Sequence, residues 1–286
     1  MGKPSRGVVA VGRLSTTPFH LGKPRPIAGA GGSALLSAVG AWLAGADAGI
    51  GAVIAPDFPT DLIRALTRAG IDLSRVRQAT PVELSAGELD PSVDQLASVS
   101  PNWAVHLCGM STRRQQAILQ RINQRVALVT LDTIYVAGSI EPEREQLIRI
   151  AAECDAFMPG RAEVTQLWPG EPPREVLRWL TRSGVRTAVI KLGLGGSIGI
   201  REGVITWMPA FPITASDAAA GGDAYAGGFA AAFSAERDLP RAMAWGAAAA
   251  SVVCETRDLI DALSDYGRKK VESRARTLLS ELRQGT

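Results

Sequence analysis

The stretch Asp217-Ala218-Ala219-Ala220-Gly221-Gly222-Asp223 leads into a run of small residues, Ala224 to Phe233, which is predicted to be a helix. A Gly-Gly pair at the start of a helix leaves backbone N–H groups unobstructed, and the helix dipole makes them an anion site. Asp223 falls in the first turn beside that site, so it can act as a general base in phosphoryl transfer. The alternative is structural: Asp223 caps the helix and the glycines form a turn.

Composition narrows the class of protein. The 286 residues are 46% hydrophobic and 21% charged, with a net charge of +3, which is typical of one or two globular domains with a large core. The basic residues are scattered, so we expect no nucleic-acid partner. Three cysteines without metal-like spacing and a start unlike a signal peptide favour a cytoplasmic protein. The apolar stretches 29–55 and 242–254 are interrupted or too short to span a bilayer, so we expect no membrane partner.

Strand-like apolar runs alternate with helical segments along most of the chain. Strands are predicted at 7–11, 49–55, 105–108, 126–131, 156–158 and 187–192, with a hairpin of 197–201 and 204–208. Helices are predicted at 34–44, 60–69, 112–123, 141–154, from 161 or 162, and at 174–183, 222–233, 241–254 and 266–282, while 71–98 is less regular. The alternation predicts an α/β fold, a three-layer sandwich with a mostly parallel central sheet. Ligands of such sheets bind beyond the carboxyl ends of the strands, where the Gly-rich points 31–32, 193–196 and 221–222 fall.

Several motifs resemble those of the ribokinase-like (PfkB) carbohydrate kinases over roughly residues 7–260. The stretch 217–223 is similar to that family's D-T-x-G-A-G-D signature. Gly31-Gly32-Ser33-Ala34 resembles its N-terminal Gly-Gly motif, and Pro159-Gly160-Arg161-Ala162-Glu163 lies where the family has P-N-x-x-E. Lys191-Leu192-Gly193-Leu194-Gly195-Gly196-Ser197 resembles the loop under the nucleotide phosphates, and Ala247–Thr256 the helix that flanks adenine.

The resemblance implies an ATP-dependent kinase that uses Mg²⁺ and transfers phosphate to a hydroxyl of a small sugar, polyol or sugar derivative. Asp223 would be the base, and Ala220, Gly221 and Gly222 would supply the anion hole. Glu163 would act on Mg²⁺ through water.

The remaining implied roles concern the nucleotide, a monovalent cation and the acceptor. Lys191, Gly193, Gly195, Gly196 and Cys254 would line the nucleotide site. Asp217 would help to shape a loop for a monovalent cation such as K⁺. The acceptor would lie near Gly31 and Gly32, with Thr16 and His20 in the excursion that faces the site.

Departures from the family pattern fall mostly at the acceptor end. Leu35 or Leu36 replaces the sugar-binding Asn, and the early substrate-binding Asp has no match. The family's D-x-N-x-R survives only as Asp132. At the phosphate end, Gly160 replaces the Asn of N-x-x-E. Ala220 replaces a glycine, which is tolerable only if its φ is negative.

These departures keep two alternatives open, a nucleoside kinase and a catalytically degenerate member that binds a nucleotide or metabolite for regulation. We also expect a kinase domain at 1–265 and a charged C-terminal helix at 266–286. Lid segments are expected near 13–28 and 75–90, forming a small or reduced β lid. A small lid favours a homodimer, in which a partner chain closes the site.

Overall fold

The structure, a computed structural model, describes residues 7–15, 31–86, 89–122, 125–133, 141–214, 220–256 and 258–284. Within these ranges nine strands form one sheet in the order β3-β2-β1-β4-β5-β6-β7-β8-β9. Strands β1 to β7 are parallel to their neighbours, and β8 and β9 are antiparallel additions at one edge. The strands are β1 Gly7–Val11, β2 Asp47–Ile54, β3 Asp72–Gln78, β4 Ala104–Leu107, β5 Leu128–Leu131, β6 Ala156–Phe157, β7 Thr187–Lys191, β8 Ser197–Arg201 and β9 Val204–Met208.

Helices cover both faces of the sheet, which confirms the predicted α/β sandwich. They are α1 Ser33–Leu43, α2 Thr60–Arg68, α3 Pro81–Ala86, α4 Thr112–Ile122, α5 Glu141–Glu153, α6 Arg161–Leu167, α7 Pro173–Arg182, α8 Gly221–Glu236, α9 Leu239–Glu255, α10 Leu259–Ala262 and α11 Asp265–Gln284. Most predicted boundaries lie within two residues of these. Helix α8 is longer than predicted and continues to Glu236, where Arg237 ends it in the left-handed conformation.

Strand β1 shows how one apolar run serves two cores. Val8 and Ala10 pack in the core under α1, α8 and α9, whereas Val9 and Val11 pack in the core under α4, α5 and α7. Side chains alternate between the faces of a strand, so a strand that is buried on both faces has no polar positions. All five residues of β1 are accordingly buried.

Helices α1 and α8 cross in backbone contact, and this crossing fixes the position of Asp223. A Cβ atom at Gly227 would lie 1.8 Å from the carbonyl oxygen of Ser37, so only glycine fits there. One turn earlier, Ser37 Oγ donates a hydrogen bond of 3.0 Å to the backbone oxygen of Asp223. The small residues of α8 therefore let the helix that carries Asp223 lie directly on α1.

Within residues 71–98, which were expected to be less regular, Asp72–Gln78 form edge strand β3, which the sequence did not predict. Its side chains are half-buried or exposed, so no apolar alternation marks it, and backbone pairing with β2 holds it in place. Of the expected lid segment 75–90, residues 75–78 therefore belong to the central sheet, and α3 follows. In the described part of segment 13–28, Ser15 pairs with Gly31 as an isolated antiparallel bridge.

The C-terminal helix α11 packs on α9 and shares its core. Val271, Ala275 and Leu278 are buried on its inner face. Among the described residues, no helix is long and apolar enough to cross a membrane.

Candidate functional site

Asp223 lies at the start of α8, where the first-turn N–H groups have no partner within the helix. Ala220 is the residue before the helix, and no side-chain hydrogen bond caps this end. Gly221 and Gly222 follow without side chains, so their N–H groups stay open to an anion. The structure thus brings together the carboxylate and the three backbone positions predicted from the sequence.

Ala220 meets the condition that its side chain imposes. Its φ is −70° and its ψ is −16°, in the right-handed helical region. An alanine adopts this conformation without strain, so the replacement of the family's glycine does not distort the turn.

Lys191, at the end of β7, forms an ion pair with Asp132, which follows β5. Both side chains are largely buried, with 12% and 5% of their surface exposed. The Lys191 ammonium also donates a long hydrogen bond of 3.5 Å to the backbone oxygen of Gly222. Lys191 is therefore a largely buried residue at the end of β7, and it lies next to the start of α8.

The charges around Asp223 shift its proton affinity. Burial raises the pKa of Asp223 most, and the nearby Asp132 carboxylate raises it further. Lys191 lowers this pKa and Glu163 raises it. The resulting pKa of Asp223 is about 7. The pKa of Lys191 is lowered by burial but raised more strongly by Asp132, Asp223 and Glu163, so the ammonium stays charged. A carboxyl group with a pKa near 7 is suited to accept a proton at neutral pH.

Glu163 occupies the first turn of α6, close to the same charges. A Cβ atom at Gly160 would lie 2.5 Å from Glu163 Oε2, so the Glu163 carboxylate fills the space beside residue 160. Gly160 is bridged to Lys191, whose N–H donates to Pro159 O at 2.9 Å. Asp132, Glu163 and Asp223 thus place three carboxylates around one ammonium, an oxygen-rich, net negative setting that fits a hard divalent cation bound together with phosphates. No group of three or more His, Cys, Asp or Glu among the described residues could hold a metal by itself.

The loop after β7 forms one wall of a cleft over the start of α8. Gly196 has a φ of 82°, and a Cβ atom there would lie 2.1 Å from Met208 O, so this turn requires glycine. Gly193 lines the cleft with Gly196, whereas Gly195 packs against Arg161. Cys254 lies opposite, where a Cβ atom at Gly221 would come within 2.8 Å of its sulfur. The rest of the lining is mostly apolar: Leu194, Ala210, Phe211, Ile213, Tyr225, Ala247, Ala250 and Ser251.

The positions predicted for the acceptor, Gly31 and Gly32, lie near the carboxyl end of β1, where a Cβ atom at Gly32 would come within 2.4 Å of Arg13 O. Gly31 pairs with Ser15, and Gly32 precedes α1 with a φ of 111°. Nearby, a cavity of about 490 Å³ is lined by Arg13, Asp90, Ser111, Arg113, Arg114 and Ala117. Arg13 forms an ion pair with Asp90 at 2.5 Å. Arg113 and Arg114 form no ion pair with another described residue, so this cavity has a net positive charge.

Three residues predicted for the site, Asp217, Thr16 and His20, lie outside the described residues. Asp132 was noted only as the remnant of a family motif and was not predicted for the site. Its position after an apolar strand was the available signal, but its pairing with Lys191 joins residues 59 positions apart. His106 is a buried core residue: its Nδ1 lies 2.9 Å from Thr130 Oγ1, and burial lowers its pKa to about 3, so the ring is neutral.

The fold is that of small-molecule kinases of known structure. Aminoimidazole riboside kinase from Salmonella enterica, solved with aminoimidazole riboside and an ATP analogue, superposes with a TM-score of 0.72 at 17% identity, over 94% of this chain and 99% of that chain. Fructokinase from Vibrio cholerae O395, solved with fructose, ADP and a calcium ion, gives a TM-score of 0.72 at 14% identity, over 93% and 98%. Both are ribokinase-like proteins in their three-layer architecture.

Sequence comparison gives the family. The pfkB family of carbohydrate kinases matches residues 81–265. The chain therefore belongs to the pfkB family, as its motifs predicted, and is an ATP-dependent small-molecule kinase. Among characterised relatives, the cytidine kinase of Thermococcus kodakarensis (strain ATCC BAA-918 / JCM 12380 / KOD1) is 25% identical over 260 residues, covering 84% of this chain and 92% of that protein.

Proposed function

We propose that the protein transfers the γ-phosphate of ATP in line to a hydroxyl of a small polar acceptor, with Asp223 as general base. The observation that carries this proposal is the position of Asp223, whose pKa is about 7, in the open first turn of α8 beside the buried Lys191. A base at this place can take the proton of an acceptor hydroxyl while the neighbouring N–H groups receive the phosphate.

Each group has one role in the proposed step. The acceptor oxygen loses its proton to Asp223 and forms a bond to phosphorus, while the bond between phosphorus and the β–γ bridging oxygen breaks and ADP leaves. The N–H groups at positions 220–222 donate to the transferring phosphoryl oxygens. Lys191 forms the ion pair with Asp132 and places a positive charge next to the Gly222 carbonyl. This charge offsets the repulsion between the phosphate and the surrounding carboxylates.

Mg²⁺ would neutralise charge on the triphosphate, and Glu163 with Asp132 would face it through their oxygen atoms. The fructokinase neighbour, solved with ADP and a calcium ion, supports the use of a divalent metal with the nucleotide. A K⁺ site near Asp217, and a homodimer that closes the site, stay predictions.

Two acceptor classes remain in competition. The sugar-binding Asn is replaced, so a bare sugar loses one polar contact at Leu35 or Leu36. A nucleoside is favoured by the cytidine kinase relative and by the riboside in the S. enterica structure. The arginine-lined cavity supports an acceptor with carbonyl oxygens or an anionic group away from its reacting hydroxyl, because guanidinium groups donate to such atoms in pairs. A degenerate, regulatory member would bind nucleotide without turnover.

A panel of matched acceptors tests the proposal. ADP release would be measured with ATP and Mg²⁺ against ribose, ribose 5-phosphate, fructose, cytidine and adenosine, with the Asp223→Asn variant as the blank. Turnover that needs an acceptor and vanishes in the variant supports the proposal. Nucleotide binding without acceptor-dependent ADP release from any compound would favour the regulatory alternative.

A further inference from the structure

A buried arginine of the C-terminal helix contacts two residues that line the nucleotide cleft. Arg274, on α11, is 8% exposed. Its Nη1 donates to Ser251 Oγ at 2.8 Å, and its guanidinium carbon lies 4.5 Å from the centre of the Phe211 ring. Ser251 and Phe211 belong to different elements, α9 and the segment before α8, yet both face the cleft. Arg274 therefore joins two parts of one wall from behind.

An ion cluster holds Arg274 in place. Its Nη2 donates to Glu255 Oε2 at 2.6 Å, and Lys270 Nζ donates to the same oxygen at 2.7 Å. Burial raises the pKa of Glu255, but the hydrogen bonds and charges of Lys270 and Arg274 lower it by more. The pKa of Glu255 therefore lies below its usual value. Glu255 is the last residue of α9, where the helix dipole disfavours a carboxylate. The two cations offset that effect, so the cluster is firmly anchored.

The two wall residues depend on this arginine in different ways. Ser251 donates its own proton to Ala248 O at 2.7 Å and accepts from Arg274, so its hydroxyl has one fixed orientation. Phe211 lies in the segment 209–214, which is neither helix nor strand, so packing alone orients its ring. A planar guanidinium stacks on an aromatic face and restricts its rotation.

We propose that Arg274 is a positioning residue for the base of the nucleotide: it holds Phe211 and Ser251 as the wall of the apolar end of the cleft. The ligand class rests on the proposed function, since a planar purine base needs apolar surface, and Phe211 and Ala250 supply such surface in this cleft. The phosphates bind at the other end, near Gly221 and Gly222. Affinity for the base should therefore depend on Arg274, and affinity for phosphates should not.

Calorimetric titration with ADP and with inorganic pyrophosphate separates these two parts of the ligand. Arg274→Met keeps an unbranched apolar stem but loses the charge, the donors and the flat face of the guanidinium group. The matched control is Arg276→Gln, because Arg276 lies on the same helix with 75% of its side chain exposed and forms an ion pair with Glu272 on the surface. We expect Arg274→Met to weaken ADP about tenfold, the loss of one charged hydrogen bond and its stacking, and to leave pyrophosphate within about twofold. The control should change neither ligand.

Two further variants keep the test decisive if Arg274→Met folds poorly. Arg274→Lys retains the ion pair with Glu255 but not the flat stack, so it should restore part of the ADP affinity. Phe211→Leu should also weaken ADP and spare pyrophosphate. In steady-state kinetics of Arg274→Met, the KM for ATP should rise while kcat and the KM of the acceptor stay unchanged. Equal loss of both ligands in folded Arg274→Met, or normal ADP binding by Phe211→Leu, would overturn the proposal.

The outcome is separable from that of the proposed function. If no acceptor is phosphorylated but ADP binding shows the expected pattern, Arg274 keeps its role and the phosphoryl-transfer proposal fails. If acceptors are phosphorylated and Arg274→Met binds ADP like the wild type, the phosphoryl-transfer proposal stands and the proposed role of Arg274 is wrong. A wild-type protein that binds neither ADP nor pyrophosphate would overturn both.

Discussion

Two regions are built differently: the phosphate end proposed at the start of α8, and the acceptor end proposed at the arginine-lined cavity. At the phosphate end, charged side chains from β7, α6, α8 and the residue after β5 meet in one cluster, and of these only Asp223 belongs to the motif 217–223. At the acceptor end, the predicted sugar contacts are replaced, and an arginine-lined cavity adjoins Gly31 and Gly32. If the proposed roles are right, substitutions at the two ends should affect kcat and the KM of the acceptor separately.

The largest effect is expected at Asp223. Asp223→Asn removes the proton acceptor and keeps the anion hole, so kcat should fall by about 10³-fold or more while the Kd for ADP changes little. Steady-state kinetics and calorimetry would measure the two quantities. Wild-type-like turnover by this variant would contradict the role of Asp223 as the base at the phosphate end.

The pH dependence should show the charge coupling beneath the anion hole. Since Asp223 must be deprotonated to act, kcat/KM should rise with pH through about 7. Lys191 lowers the pKa of Asp223 and Asp132 raises it. Lys191→Met should therefore move this acidic limb to higher pH, and Asp132→Asn to lower pH, with both variants losing roughly 10- to 100-fold in rate. Shifts in the same direction would contradict the assignment.

Stability should vary with pH for the same reason. The pKa of Asp223 is raised in the folded protein, so the native state binds its proton more tightly than the unfolded chain does. The stability that this provides is complete below the unfolded pKa and is lost as pH rises to about 7. Asp223→Asn mimics the protonated form. Its free energy of unfolding at pH 8 should exceed that of the wild type by roughly 1–3 kcal/mol, a range that allows for the partial exposure of Asp223. At pH 4 the difference should disappear in denaturant titrations.

At the acceptor end we expect a smaller effect that is confined to KM. Arg114→Gln removes one guanidinium of the cavity, so the KM of an acceptor with a phosphate or carbonyl group should rise about fivefold to tenfold. The kcat and the KM for ATP should stay as in the wild type. Arg121→Gln, on the exposed side of the same helix, serves as control. An equal rise in KM for uncharged sugars would show that the cavity does not recognise the phosphate or carbonyl group of the acceptor.

The smallest effect is expected at Ala220. Its φ of −70° suits alanine, so restoring the family's glycine relieves no strain. Ala220→Gly should leave kcat within about twofold and destabilise the fold by about 0.5–1 kcal/mol through unfolded-state entropy. A large gain in kcat would show instead that the methyl group obstructs the anion hole.

The sequence predicted what local patterns determine. Apolar runs marked β1 and the β8–β9 hairpin, and the Gly-Gly pair marked the start of α8. It did not predict β3, because a half-buried edge strand held by backbone pairing has no apolar period. It could not predict the Lys191–Asp132 pair or the Arg274–Phe211 stack, because each joins residues more than 50 positions apart, and only the folded topology makes them neighbours.

The backbone contact between α1 and α8 at Gly227 has a consequence for redesign. Because these helices are in backbone contact at Ser37, residues 33–43 and 221–236 pack as one unit that carries Asp223. Arg13 follows β1 and Arg114 lies on α4, both outside this unit. Substitutions at those two positions should therefore leave Asp223 in place, whereas any side chain at 227 would push α8 away from α1 and displace Asp223.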